Sequence, residues 1–275
     1  MYPELFKIGP LTVYSYGLML GIGFIVASTV LGREIKRRGM DFSHGNNITL
    51  LAIVFGVIGS KLLYVVENWP TFLATPSILY SPGGLTWYGG FFLATVAVWI
   101  YARKKKVGFL EICDAAAPAL MIGYGIARIG CHLAGDGDYG TPTDLPWSAV
   151  YSNGTYPPSL AFRGFPDIVA KYGTDGIVPN DIPVHPAPIY EFLLGMLGFG
   201  ILLRMRRTPR PAGALFMIYL ILAGAARFGV EFIRLNPRLL GGLSEAQLIS
   251  VVMIAGGVIG YIMLYGTDVH NPDSP

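Results

Sequence analysis

The chain has 275 residues, 53% of them hydrophobic and only 13% charged, with a mean hydropathy of +0.52. Soluble domains carry roughly 25% charged residues, so these values exclude an ordinary cytosolic enzyme, a disordered chain and a disulfide scaffold, and point to an integral membrane protein. The net charge of +3, from 20 basic and 17 acidic residues, is too small to indicate a nucleic-acid partner.

A spanning helix needs about 20 mostly apolar residues. The first such stretch is Leu11–Leu31. It lacks a basic region before it, and Arg33, Lys36, Arg37 and Arg38 follow it, so it reads as a retained, signal-anchor-like helix rather than a cleaved leader. The second, Ile48–Val66, carries Lys61 late in its course, and the third is Leu85–Tyr101. The fourth, Phe109–Ile129, has Asp114 near its start and Arg128 at its end. Cys113 and Cys131 lie 18 apart, so on one helix they would be about 27 Å apart, beyond disulfide reach. A long Gly-, Pro-, Asp- and Tyr-rich segment then runs over 131–184; a loop of that length is a folded cap or a substrate gate. The fifth stretch, Ala187–Leu203, is short, begins at Pro186 and Pro188 and holds Glu191. The sixth is Ala212–Ile233, and the seventh, Leu248–Tyr265, follows Ser244 and Gln247, spaced as a capping box. The expected fold is therefore an all-α integral membrane protein, a single polytopic domain over 1–275. It has seven transmembrane helices and a large outer loop between the fourth and fifth.

The loops alternate in charge. Arg33, Lys36, Arg37, Arg38, Arg103, Lys104, Lys105, Lys106, Arg204, Arg206, Arg207 and Arg210 fall on one side. Only Lys7, Arg163, Lys171, Arg234 and Arg238 fall on the other. The positive-inside rule puts the twelve in the cytoplasm, with the N-terminus outside and the C-terminus inside.

On that topology Lys61, Arg128, Arg227, Glu231 and Arg234 end outward-running helices, and Tyr16, Tyr88, His185, Tyr190 and Glu191 begin inward-running ones. All sit in the outer half of the bilayer. Ionisable residues inside a membrane are costly and mark functional sites, although an isolated arginine near a helix end snorkels. Arg227, Glu231 and Arg234 share one helix face by their spacing of four and three, which also suits a structural ion-pair ladder. Buried guanidinium groups grip phosphate bidentately, so the residues alone reach an anionic lipid-headgroup site facing the outer leaflet. Of the histidines, only His132 and His185 reach that side, and no HExxH or paired-Cys pattern occurs, so no metal site is expected.

The motifs then carry a resemblance. Tyr16-Gly17-Leu18-Met19, the helix bearing Gly56, Gly59, Lys61 and Tyr64, the run from Gly83 to Gly90, and Asp114 with Pro118 occur in order. They are followed by Arg128-Ile129-Gly130, His185-Pro186-Ala187-Pro188-Ile189-Tyr190-Glu191, and Arg227 with Glu231, Phe232 and Arg234. Together these resemble the bacterial prolipoprotein diacylglyceryl transferase family over about residues 8–265. The resemblance implies seven spans with the N-terminus outside, in the bacterial inner membrane, and no cofactor. It implies transfer of a diacylglyceryl group from phosphatidylglycerol to the lipobox cysteine of a prolipoprotein signal peptide, forming a thioether and releasing glycerol phosphate. By the same resemblance Arg128 and Arg227 stabilise the leaving phosphate. Tyr88 takes or relays the thiol proton from a position where the family carries His, with His132 as the rival base. Tyr16, Lys61, Gly89, Gly90, His185, Tyr190, Glu191, Glu231 and Arg234 contact or frame the substrates. Three features depart from the family: Tyr88, Lys61 in place of Arg, and Cys131-His132-Leu133-Ala134-Gly135-Asp136 in place of N-F-x-N-x-E. A membrane protein of the same fold that only binds or moves lipid is the alternative; a secondary transporter is disfavoured because no internal repeat is visible.

Overall fold

The computed structural model describes residues 1–9, 11–81, 84, 86–239 and 241–269. Gly83 and Leu85, named above, lie outside them. The chain opens with an antiparallel hairpin, β1 (Glu4–Ile8) and β2 (Leu11–Tyr14). Residues 11–14, expected to begin the first helix, are thus a strand. The helix α1 starts at Ser15, whose backbone N–H donates to Pro3 O at 2.9 Å, and runs to Arg37. Then come α2 (Ser43–Glu67), the short α3 (Trp69–Ala74), α4 (Trp87–Lys105) and α5 (Phe109–Ala134). Between α5 and α8 (Ala187–Met205) lie a short strand pair, β3 (Ala149–Val150) and β4 (Pro183–Val184), and the small helices α6 (Pro158–Ala161) and α7 (Pro166–Tyr172). The chain ends with α9 (Ala214–Val230) and α10 (Glu245–Val269).

Among the described residues five helices are long and apolar enough to cross a membrane: α1, α2, α5, α8 and Glu245–Gly266 of α10. The third predicted stretch is the helix α4, and the sixth is α9, 17 residues long, or about 25 Å. The protein is thus a largely helical, multi-pass membrane protein. The predicted capping box at the last helix forms: Ser244 N–H donates to Gln247 Oε1 at 3.1 Å and Gln247 N–H to Ser244 Oγ at 3.3 Å. Satisfying two orphan donors at once, it starts α10 three residues earlier than hydropathy indicates. Cys113 and Cys131 are both free thiols.

The chain divides into two compact units, residues 28–115 and residues 1–27 with 116–275, the boundary falling within α1 and α5. In the first of these, α2 and α4 cross at Gly59 and Gly89, where a Cβ on either would run into the other's carbonyl oxygen. A Cβ on Gly90 would strike Ser60 Oγ and Gly56 O. At Gly89 and Gly90 the close approach that a glycine pair allows is made by α2. Gly59→Ala should therefore cost about 1–3 kcal/mol through overpacking, read as a lower apparent Tm in detergent; an unchanged Tm would show that the crossing has slack. At the other end of this unit Arg37 Nε meets Glu34 Oε2 at 2.9 Å and Arg38 Nη1 lies 3.5 Å from Asp114 Oδ2, which accounts for the acidic residue in the fourth stretch.

In the second unit α5 and α8 touch where a Cβ on Gly195 would lie 3.2 Å from Gly125 Cα, and α9 and α10 where one on Gly257 would lie 2.7 Å from Met217 O. Small residues at such crossings let membrane helices approach closely. The segment between α5 and α8 has its own core of Tyr139, Tyr151, Ala161, Phe162, Val178 and Val184. It forms a packed cap, against whose core Met1 and Leu235 from outside the segment also pack. It begins at Gly135 rather than 131, because α5 continues through Ala134. His132, read from sequence as the edge of a loop, is on the last turn of a helix.

Candidate active site

The polar cluster of the second unit is assembled by backbone pairing. Gly140 N–H donates to His185 O at 2.9 Å and Thr141 N–H to Ile233 O at 2.8 Å, so the start of the cap lies against the entry to α8 and the exit from α9. Gly140 permits this: a Cβ there would stand 2.6 Å from Ile233 O and 2.9 Å from His185 Cβ. The result places Arg128 from α5, Asp138 from the cap, Glu191 from α8 and Arg227 from the last turn of α9 around one centre, with Glu231 and Arg234 just past the end of α9, which stops at Val230 rather than running on to Ile233 as expected.

Glu191, 2% exposed, is the hub. Its Oε1 accepts from Tyr124 Oη at 2.6 Å and Arg227 Nη1 at 2.7 Å; its Oε2 lies 3.2 Å from Arg234 Nη1 and 3.3 Å from Arg128 Nε. Glu231 is fully buried. Its Oε1 accepts from Asn236 Nδ2 at 2.6 Å and Ser244 Oγ at 2.8 Å. Its Oε2 lies 3.0 Å from Arg227 Nη2, an ion pair without hydrogen-bond alignment. Asp138 accepts from Arg128 Nη1 and Arg234 Nη2. The Arg128 guanidinium also stacks 4.8 Å from the Tyr124 ring centroid, a cation–π contact. Six ionised groups, three of each sign, therefore neutralise one another, which is the condition for burying them at tolerable desolvation cost.

The three arginines are not equivalent. Arg234 spends all three nitrogens on carboxylates, and its side chain is 7% exposed. Arg128 and Arg227 each spend two and are about three times more open, at 20% and 24%. These two have geometry left for an incoming anion.

The other residues named from sequence divide by place. Tyr16, half exposed on α1, borders the Arg128 turn: a Cβ on Gly130 would lie 3.3 Å from Tyr16 Cα. Tyr190 Oη accepts from Trp147 Nε1 at 2.8 Å and lies 3.3 Å from His185 Nδ1; burial lowers the His185 pKa. His132 Nδ1 lies 2.8 Å from the hydroxyl of the buried Tyr151, with the rings edge to face. It is therefore engaged by the cap rather than facing water. Lys61, Tyr88, Gly89 and Gly90 belong to the other unit. There the Lys61 ammonium donates to Ser81 O at 2.8 Å and Ser81 Oγ at 3.0 Å, and Tyr88 is an exposed ring edge-on to Trp87.

Sequence reading missed Tyr124 and Asp138. Tyr124 was within reach, since four residues before Arg128 puts it on the same helix face. Asp138 carries no such signal, because its partner Arg234 is 96 residues away. Cys131, Asp136 and Asp138 offer ligand atoms within 4.8 Å of one another. Two guanidinium groups already occupy Asp138, and their positive charge opposes a cation there.

A family model described as prolipoprotein diacylglyceryl transferase matches residues 3–263 of the chain. A phosphatidylglycerol–prolipoprotein diacylglyceryl transferase of Clostridium tetani is 32% identical over 260 residues, covering 94% of this chain and 96% of that protein. One of Proteus mirabilis is 32% identical over 286 residues, covering 99% and 95%. One of Escherichia coli O1:K1 / APEC is 32% identical over 274 residues, covering 96% and 93%.

Proposed function

The chain belongs to the prolipoprotein diacylglyceryl transferase family, and on that premise we propose that it moves the diacylglyceryl group of phosphatidylglycerol onto the lipobox cysteine of prolipoprotein signal peptides. The observation that carries the site assignment is the pair of partly open guanidinium groups, Arg128 and Arg227, held in place by the buried Glu191. In the reaction the cysteine thiol gives up its proton and the thiolate attacks the glyceryl carbon. The bond from that carbon to the phosphate oxygen breaks, and glycerol phosphate leaves with the electron pair. Arg128 and Arg227 meet the charge that grows on the leaving phosphate; preorganised charges of this kind supply the largest catalytic contribution in most such sites. Glu191, Glu231 and Arg234 fix the two arginines. Tyr16, His185 and Tyr190 border the same cluster and frame the lipid and the peptide, and Lys61 steadies the turn at Ser81.

Seven spans, the N-terminus outside, the bacterial inner membrane and a site toward the outer leaflet complete the reading. The support is the charge asymmetry, twelve basic residues against five. Cysteines introduced at positions 103–106 should react with membrane-impermeant reagents only after the cell is opened; labelling from outside would reverse the topology.

Tyr88 is our candidate for the proton acceptor, on the strength of its motif position between Trp87 and Gly89. Tyr88→Phe removes only the hydroxyl and should lower transfer by about 10²-fold or more, the scale of general base catalysis. His132→Ala should lower it less, because that imidazole is committed to Tyr151. Full activity in Tyr88→Phe with none in His132→Ala would exchange the two roles.

The reaction itself is tested by incubating purified protein with phosphatidylglycerol vesicles and a lipobox peptide. The peptide should gain the mass of one diacylglyceryl group as glycerol phosphate appears. A wild-type protein that binds lipid without this gain would be the non-catalytic alternative.

A further inference from the structure

Asp138 is unlike the other two acids of the cluster. The side chains of Glu191 and Glu231 are buried and are also held by neutral donors: Tyr124 for the first, Ser244 and Asn236 for the second. Asp138 is 30% exposed, and among the described residues its carboxylate is held only by Arg128 and Arg234. It follows Gly137, at φ +91°, and the backbone just after it is fixed by the pairing at Gly140 and Thr141. Burial alone would push its carboxyl up, but the Arg234 and Arg128 guanidiniums outweigh it and hold it below the usual carboxylate range. Burial, with the neighbouring charge of Asp138, pushes Asp136 the other way. At neutral pH Asp138 is thus a fixed negative charge seated between Arg128 and Arg234, and it shares Arg128 with the phosphate position at Arg128 and Arg227.

We propose that the Asp138 carboxylate is a resident competitor for the phosphate position, displaced by the donor's phosphodiester and returning to expel glycerol phosphate. The proposal rests on the transfer reaction above. The charge count supports it. With Asp138 in place the cluster holds three positive and three negative groups; with Asp138 rotated out, one positive charge is uncovered, matching the single charge of a phosphodiester. The product is a phosphomonoester, which carries about −1.5 to −2 at pH 7. Without a competing anion this product would bind the arginines more tightly than the substrate does, and the enzyme would stall. Once displaced, the Asp138 carboxylate stays beside the arginines and repels the more highly charged product more strongly than the singly charged donor, which offsets that excess.

The test is inhibition by glycerol phosphate in wild type, Asp138→Asn and Asp138→Glu. The Asn variant keeps size and removes charge. Its inhibition constant for glycerol phosphate should fall by about tenfold or more, as one competing charge is lost near two guanidiniums, while the half-saturating phosphatidylglycerol concentration falls less. Asp138→Glu, which keeps the charge, should stay closer to wild type. An inhibition constant in Asp138→Asn that is unchanged or higher would make Asp138 a brace for the arginines and overturn the proposal. If the Asn variant is not monodisperse, difference infrared spectra of the wild type with isotope-labelled aspartate decide the matter. Inorganic phosphate should shift a carboxylate band from guanidinium-paired to hydrated, and no shift would overturn the proposal. A wild type that performs no transfer would instead overturn the reaction, a separate failure.

Discussion

Replacing Arg227 with alanine is expected to lower transfer by about 10²- to 10³-fold, the usual consequence of removing one preorganised donor to a developing anion. The protein should remain extractable and monodisperse. The reason lies in what the neighbours keep. Without Arg227, Glu191 still accepts from Tyr124 and meets Arg128 and Arg234, and Glu231 still accepts from Ser244 and Asn236. Neither acid is left as an isolated buried charge, so folding loses less than catalysis does. Arg227→Lys should recover only part of the rate, because an ammonium cannot span Glu191, Glu231 and a phosphate as a planar fork does. Initial rates with saturating peptide would check both. Near-normal turnover in Arg227→Ala would remove the phosphate role from this residue.

Glu191→Ala is expected to act in the opposite order, on stability first. It withdraws the carboxylate shared by all three arginines and Tyr124, leaving three positive against two negative groups in a largely buried site. Breaking a buried ion pair from one side costs about 3–5 kcal/mol, and on a chain of this size that lowers Tm by roughly 10 °C or more. Glu191→Gln keeps the volume and an acceptor for Tyr124, so its loss should be smaller. Thermal unfolding in detergent reads the difference. A Glu191→Ala protein melting within a degree or two of wild type would mean that Glu191 is not the hub.

Apolar runs foretold the long helices, because they are set locally. The boundaries they missed have nonlocal causes. Residues 11–14 form a strand because β1 pairs with them, and α5 gains a turn because Tyr2 N–H caps Leu133 O at 2.9 Å and Thr155 N–H caps Ala134 O at 2.9 Å. Within the site, Arg227 and Glu231 were legible from their spacing of four, and Glu191 from its depth. Their convergence on Glu191 was not, since it depends on the cap holding α8 and α9 together through Gly140 and Thr141. Gly89 and Gly90 show the limit of composition: a glycine pair signals close approach, and only the fold shows that α2 is what approaches.

The central claim is that the donor's phosphate is held by Arg128 and Arg227. Phosphatidylglycerol carrying a photoreactive group on its headgroup, crosslinked to the wild-type protein and mapped by mass spectrometry, tests it directly. The account predicts crosslinks on the segments bearing Arg128, Asp138 and Arg227, lost in Arg227→Ala. Crosslinks that survive in Arg227→Ala, or that fall instead on the basic stretch 204–210, would contradict it.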